Sequence, residues 1–342
     1  MQVSFLTFGG RKIGTGHLFR CLAMSEWVEK LTLNTEISFH LYDFGAEKQD
    51  KALEILHSRS SYCCYIQNKE TIKDMHFDTV IVDLLNAPLD LMGILKNRSN
   101  LLVSIDNISK SRELSNIAIN PLYYKINKSN IGHDYIGPKF QIISPGFLNK
   151  QSRWKSKVEK VLIIQGGSDP FGITPKIVQD LEPLLLNKLI TLHVVVGPAS
   201  NQSQGLLNLA NKYHDQIVLH QNILKMSDFL GDVDLAICSV GVVAFEVASM
   251  GIPAIHITGV EKELETGVSM SDLGVSINMG MYSRPSPRLY DATLALINNN
   301  SSRKNMRDNC LKVFNPTNAK KMIELIIFNS KGDRDDKHKI IQ

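Results

Sequence analysis

The chain has 342 residues, 43% of them hydrophobic and 21% charged, with 38 Lys and Arg against 34 Asp and Glu for a net charge of +4. That composition excludes a disordered, collagen-like or disulfide-scaffold protein, and the length predicts two domains of roughly 150 residues each. The small charge, with no Arg-rich stripe interleaved with aromatics, argues against nucleic acid as a partner.

The opening stretch, MQVSFLTFGG, has no basic leader and runs straight into a strand, so it does not read as a signal peptide. Strands are predicted at 3–8, 36–44, 61–66, 78–85, 101–106 and 116–121. Between them lie a helix from His17 onward and helices at 46–58 and 88–97, an order that gives a mostly parallel sheet. A polar, basic stretch at 149–160 reads as a linker, after which the pattern restarts. The second half predicts strands at 161–165, 191–196, 216–220, 235–240 and 254–258. Its helices are expected at 174–186, 201–213, 242–250, 286–298 and 300–313. The expected organisation is therefore α/β: a Rossmann-like domain over 1–150, a second over 151–315, a helix over 316–329 and a charged tail over 330–342. Two such halves would face a cleft, with ligands at the carboxyl ends of the strands.

The longest apolar run, Ser239 to Thr258, contains Glu246, Gly251, Pro253 and His256, so a buried strand–helix–strand is expected there and not a membrane span. Five cysteines, Cys21, Cys63, Cys64, Cys238 and Cys310, have no C-x-x-C spacing and read as thiols of a reducing, cytoplasmic compartment. The histidines lack metal-ligand spacing, and no metal or other cofactor is implied.

Three loops carry the candidate chemistry. In GGRKIGTGHLFRCLA (9–23), the glycines turn the chain after the first strand, and Phe19, Leu22, Ala23 and Trp27 mark one helix face. His17 therefore starts a helix, where unpaired N–H groups favour an anion and a neutral imidazole. Facing a cleft, it is a candidate general base, with Arg20 one turn on as a phosphate or sugar contact. The plainer alternative is a capping or core histidine with Arg20 as a surface charge. In QGGSDPFGITP (165–175), Gly166 and Gly167 suggest close backbone approach to a ligand, and Thr174–Pro175 suggests an N-cap with a first-turn proline. Ser168 and Asp169 then project near the cleft, unless the segment is an ordinary turn. In CSVGVVAFEVASMGIP (238–253), the Ser239–Gly241 turn offers N–H groups to a diphosphate. Glu246, an acid in an apolar run, fits a ribose diol or a salt bridge. Asp83 and Asp106 end apolar strands, as ligand-binding groups or as turn caps.

The segments IGTGHLFRCLAMS, VIVD, SIDN, GPKFQIISPGF, IIQGGSDPFGIT and ICSVGVVAFEVASMGIPAI resemble, in order and spacing, the UDP-sugar hydrolases of pseudaminic acid biosynthesis, a group that includes related spore-coat polysaccharide proteins. The resemblance runs from residue 1 to about residue 328. It implies a GT-B fold, similar to the transferase that adds N-acetylglucosamine in peptidoglycan synthesis, with water as acceptor. It implies that His17 activates the water that attacks the anomeric carbon of UDP-2,4-diacetamido-2,4,6-trideoxy-β-L-altropyranose, releasing UDP with inversion and without metal. Gly14, Gly16, Arg20 and Asp106 are then substrate-binding positions, and Gly166, Gly167, Ser168, Asp169, Ser239, Gly241, Val242 and Glu246 hold the UDP. Four positions depart from the family pattern: Asp83-Leu84-Leu85 replaces D-H-Y, Asn107 an aspartate, Ser144 an arginine, and Lys262-Glu263 an N-Q pair. They fall on the sugar side of the family's cleft. Two other readings follow from them, a GT-B glycosyltransferase and a nucleotide-sugar-binding partner of pathway enzymes.

Overall fold

The computed structural model describes residues 1–10, 14–45, 48–59, 62–121, 133–187, 189–200, 204–221, 223, 225–282 and 287–331. The chain divides into two compact units: Met1–Gly10, His17–Pro145 and the segment from Asn315 form one, and Gly146–Phe314 with residues 14–16 the other.

The first unit holds a parallel sheet of β1 (Gln2–Thr7), β2 (Glu36–Tyr42), β3 (Cys63–Gln67), β4 (Phe77–Asp83), β5 (Ser99–Ile105), β6 (Ile117–Asn120) and β7 (Asp134–Ile136), in the order β3-β2-β1-β4-β5-β6-β7. The central strands read as nearly continuous apolar runs because both faces are covered, as parallel crossovers require. Leu6, Val80, Val82 and Leu102 pack with Leu91, Met92 and Leu95 of the helix Leu89–Arg98. The last helix, Pro316–Ser330, buries Ala319, Met322, Ile323 and Ile326 and packs on β5.

The second unit holds β8 (Lys160–Ile164), β9 (Thr191–Val196), β10 (Ile217–Gln221), β11 (Leu235–Cys238), β12 (Ala254–Thr258) and β13 (Ser276–Met281), parallel and ordered β10-β9-β8-β11-β12-β13. In each sheet the strand order reverses beside its first strand, between β1 and β4 and between β8 and β11. Such switch points leave a crevice at the carboxyl ends, and all three candidate loops start there.

The expected 174–186 helix is two pieces, Ile173–Asp180 and Glu182–Leu186. Pro183 breaks it, because its ring and missing N–H interrupt the ladder. Some elements were not expected, among them β7, only three residues; β13 (SINMGM), which carries a glycine; and the helix Leu264–Asp272, which contains Gly267 and a β-branched pair, Thr266 and Val268. Gly267 is there for space, since a Cβ would lie 3.0 Å from Asn278 Oδ1 on β13. Among the described residues no helix is long and apolar enough to cross a membrane.

Two buried histidines link this fold to pH. Burial pushes His40 on β2 and His256 on β12 down to about 4, and neither ring nitrogen of His256 has a partner. Both are neutral when folded, whereas the unfolded chain takes up protons near 6.5. Their stabilisation is thus complete above about pH 6.5 and lost as pH falls toward 4, by about 1.4 kcal/mol per pH unit for each histidine. Urea melts at pH 7.5 and 5 are expected to show this loss, and His256→Leu is expected to flatten it. An unchanged pH slope in the variant would remove His256 from the account.

Candidate active site

The first site grows from the turn after β1. Gly14 has φ of +86°, a left-handed conformation that favours glycine, and nothing lies within 4 Å of the place of its missing Cβ. The chain then enters the helix Gly16–Leu31, which buries Leu18, Cys21, Met24, Trp27 and Val28. A helix packed on so much of its circumference drives its polar residues into the interior. Arg20 is 2% exposed, so it is not a surface charge.

What receives Arg20 is a pair of carboxylates at the sheet's carboxyl edge. Its Nε donates to Asp83 Oδ2 at 2.7 Å, and its Nη2 donates to Asp83 Oδ1 at 2.6 Å and Asp106 Oδ2 at 3.0 Å. Asp83 is the last residue of β4, and Asp106 follows β5 with φ of +56°. The same Asp83 Oδ1 lies 2.6 Å from His17 Nδ1. An ionised carboxylate only accepts, so Nδ1 carries the ring proton and donates it to Asp83. Arg20 Nη2, 3.1 Å from Nδ1, is then a neighbour and not a donor to it. In the neutral ring Nε2 keeps its lone pair, and among the described residues nothing takes it. Phe8 stacks on the imidazole at 4.7 Å between centroids.

The electrostatics separate the two acids. Burial alone would raise Asp83, but Arg20 and His17 override it and hold the carboxyl below its ordinary range. At Asp106 burial wins over Arg20 and pushes the carboxyl up; its Oδ1 is buried and unpartnered. Burial also works against the Arg20 charge, yet Asp83 and Asp106 more than compensate, so it stays protonated. Cys21 Sγ sits 3.8 Å from Asp83 Oδ2, and burial followed by the Asp83 charge pushes that thiol up, so it is no nucleophile.

Several expectations change here. Arg20 and Asp106 were expected to touch substrate, but both are buried, with Arg20 bonded to Asp83 and Asp106. Asp83, by contrast, contacts the His17 imidazole directly. Its signal in the sequence was a carboxylate closing the apolar run TVIVD, which a turn cap would equally produce. Two of the departures are absorbed by the fold: Leu84 is fully buried in the core, and Ser144 Oγ donates to Glu26 at 2.5 Å.

The second unit carries two loops that end differently. After β8, Gly166 has φ of +69°, and Gly167 is pressed against Gly197, where a Cβ would lie 2.5 Å from the Gly167 carbonyl. Ser168 is buried. The helix begins at Ile173 after Gly172, so Thr174 is not its N-cap. Asp169 does that work: its carboxylate accepts from Ile173 N at 2.8 Å and Thr174 N at 3.0 Å. Two N–H groups of that helix start are thereby taken by the protein's own carboxylate.

The loop after β11 is open. Ser239 N continues the ladder to Ile164 O at 3.2 Å, and Gly241 is the N-cap of the helix Val242–Ser249 with no side-chain cap. The first-turn N–H groups there suit a diphosphate. Val242 opens this helix, and Glu246 lies one turn on; Glu246 was expected to be buried but is only half-buried. Among the described residues no cluster of three His, Cys, Asp or Glu side chains is placed to hold a metal ion.

The solved structures with this architecture include Acinetobacter baumannii MurG, with a TM-score of 0.65 and 13% identity over 95% of this chain and 99% of that one. The chain has a GT-B fold. S. aureus MnaA, solved with UDP, gives a TM-score of 0.62 and 12% identity over 97% of each chain. In sequence, the spore coat polysaccharide biosynthesis protein SpsG of Bacillus subtilis is 23% identical over 293 residues, 82% of this chain and 84% of SpsG. An uncharacterised protein of Methanocaldococcus jannaschii, MJ1062, is 28% identical over 274 residues, 75% of this chain. The match spans only about half of MJ1062, 55% of its length. No family model matches.

Breaking the buried cluster tests its energetics. Arg20→Met is expected to destabilise the protein by about 3–5 kcal/mol, because it strands two buried carboxylates. Asp106→Asn is expected to cost less than about 2 kcal/mol, since the amide resembles the acid form that burial already favours. Urea titration of both variants checks the order; equal losses would mean that the two acids share Arg20 evenly.

Proposed function

We propose that this chain hydrolyses a UDP-linked sugar at its anomeric carbon for the synthesis of a surface polysaccharide in the cytoplasm. The observation that carries the reading is the 2.6 Å contact of His17 Nδ1 with Asp83, which leaves Nε2 as the proton acceptor. Nε2 takes a proton from water as the water oxygen bonds to the anomeric carbon. The bond from that carbon to the diphosphate oxygen breaks, and UDP leaves with the electron pair. A single displacement inverts the configuration. Asp83 stabilises the imidazolium that forms, and its fixed place spares reorganisation. The open helix start at Gly241 supports the leaving diphosphate, with Ser239, Val242 and Glu246 beside it, while Gly166, Gly167 and Ser168 shape the neighbouring loop. SpsG supports the polysaccharide context, and the UDP complex of MnaA supports the nucleotide. The donor we propose is the diacetamido-trideoxy sugar of pseudaminic acid synthesis, which the sequence motifs imply.

Phosphorus NMR with that donor and no acceptor tests the reading. Wild type is expected to release UDP, and His17→Ala to lower kcat roughly 10²–10⁴-fold, with UDP affinity unchanged by calorimetry. Full activity in the variant would remove His17 as the base. A second reading, transfer to a hydroxyl acceptor, is favoured by the fold shared with MurG. The same Nε2 would then deprotonate the acceptor, and UDP release would depend on adding one.

A further inference from the structure

Arg20 Nη2 carries two hydrogens and has three polar atoms within reach: Asp83 Oδ1 at 2.6 Å, Asp106 Oδ2 at 3.0 Å and His17 Nδ1 at 3.1 Å. One hydrogen is fixed by the fork, because Nε and Nη2 together grip the two oxygens of Asp83. The other has a choice. It goes to Asp106, or it turns to Nδ1, which can accept only by giving up its own proton. A neutral imidazole that accepts at Nδ1 carries its proton on Nε2, and such a ring has no lone pair where a base needs one.

We propose that Asp106 is a positioning residue: by taking the second Nη2 hydrogen of Arg20 it keeps that donor off Nδ1 and holds His17 in the tautomer that leaves Nε2 bare. The inference rests on the reading of His17 as the base. Asp106 is 1% exposed, so it acts through Arg20 and not by contact with a ligand. Its role does not need a charge. Burial favours the acid form of Asp106; the proton then belongs on Oδ1, which is buried and has no partner, and Oδ2 stays free to accept from Arg20. Asp83 Oδ1 meanwhile accepts from Arg20 and from the ring. The contacts therefore agree on one sharing of hydrogens, with Arg20 donating to both acids and His17 to Asp83. Without an acceptor at position 106 the second hydrogen has Nδ1 within reach, and a buried donor left unpaired is costly.

Nitrogen NMR of protein labelled in its histidine rings reads the tautomer without any substrate, and the His17 signal is identified by its loss in His17→Ala. Wild type is expected to show Nδ1 protonated and Nε2 bare. Asp106→Leu, which fills the space without an acceptor, is expected to move the proton toward Nε2 and to lower kcat roughly tenfold or more with KM little changed. Asp106→Asn keeps a carbonyl oxygen for Arg20, so it should retain the wild-type spectrum and most of the activity. A wild-type tautomer in Asp106→Leu overturns the proposal. Wild type that shows the expected tautomer but releases no UDP from the diacetamido-trideoxy donor counts against the hydrolase reading, and the spectra of the variants still decide the role of Asp106. Position 106 has φ of +56°, a conformation that asparagine tolerates better than leucine. Should Asp106→Leu not fold, a neutron structure of wild type decides: the second Nη2 deuteron directed at Asp106 Oδ2 supports the proposal, and the same deuteron directed at His17 Nδ1 overturns it.

Discussion

Much of the first unit is arranged around the guanidinium of Arg20. Two carboxylates at the ends of adjacent strands are taken out of water, and only a cation placed between them makes that tolerable. Arg20 serves because its planar fork grips Asp83 through two nitrogens and still reaches Asp106. A lysine would offer one nitrogen and no fixed plane. The consequence extends to His17: Asp83 is held in place by Arg20, so the imidazole bound to it has one orientation and one tautomer. A buried ion cluster is a poor source of net stability, and its worth here is geometric.

A second economy appears in how the helix starts are used. Unpaired N–H groups attract any anion, and the protein decides which by supplying or withholding its own. Asp169 occupies the start at Ile173, where a φ of +40° brings its carboxylate round to the N–H groups. At Gly241 no side chain does so. Loops that look alike in sequence, glycines after a buried strand, therefore differ in how their helix starts are capped: one by its own carboxylate, the other by no side chain.

This comparison also marks what the sequence disclosed. Strand positions were legible because parallel strands covered on both faces are written as unbroken apolar runs, and the switch points followed from their order. The helix start at His17 was legible because glycines before an apolar helical face mark a turn into a helix. Arg20 and Asp106 were misjudged for one reason: charged residues are ordinarily exposed, and a sequence does not show that two strand-end acids and a helical arginine meet 60 to 90 residues apart in a buried cluster. The capping role of Asp169 was not legible, because a capping aspartate and a ligand-binding one use the same residue in the same loop.

The replacement of an aspartate by Asn107 is coupled to the buried cluster. Asn107 is fully buried; its Nδ2 donates to Ser111 Oγ at 2.9 Å, and its Oδ1 accepts from Ser109 N at 3.1 Å and Ser109 Oγ at 2.8 Å. Ser111 Oγ in turn donates to Ala87 O at 2.6 Å. A carboxylate at 107 would have no N–H for Ser111, and Ser111 has already committed its own proton. It would also put a third acid beside Asp106, whose charge burial already disfavours, with Arg20 as the cation that the cluster's carboxylates bond. The amide thus lets the loop after β5 close on itself without asking more of Arg20. What looks in the sequence like a departure from the family pattern is, in the fold, a residue that keeps the charge of the buried cluster in balance.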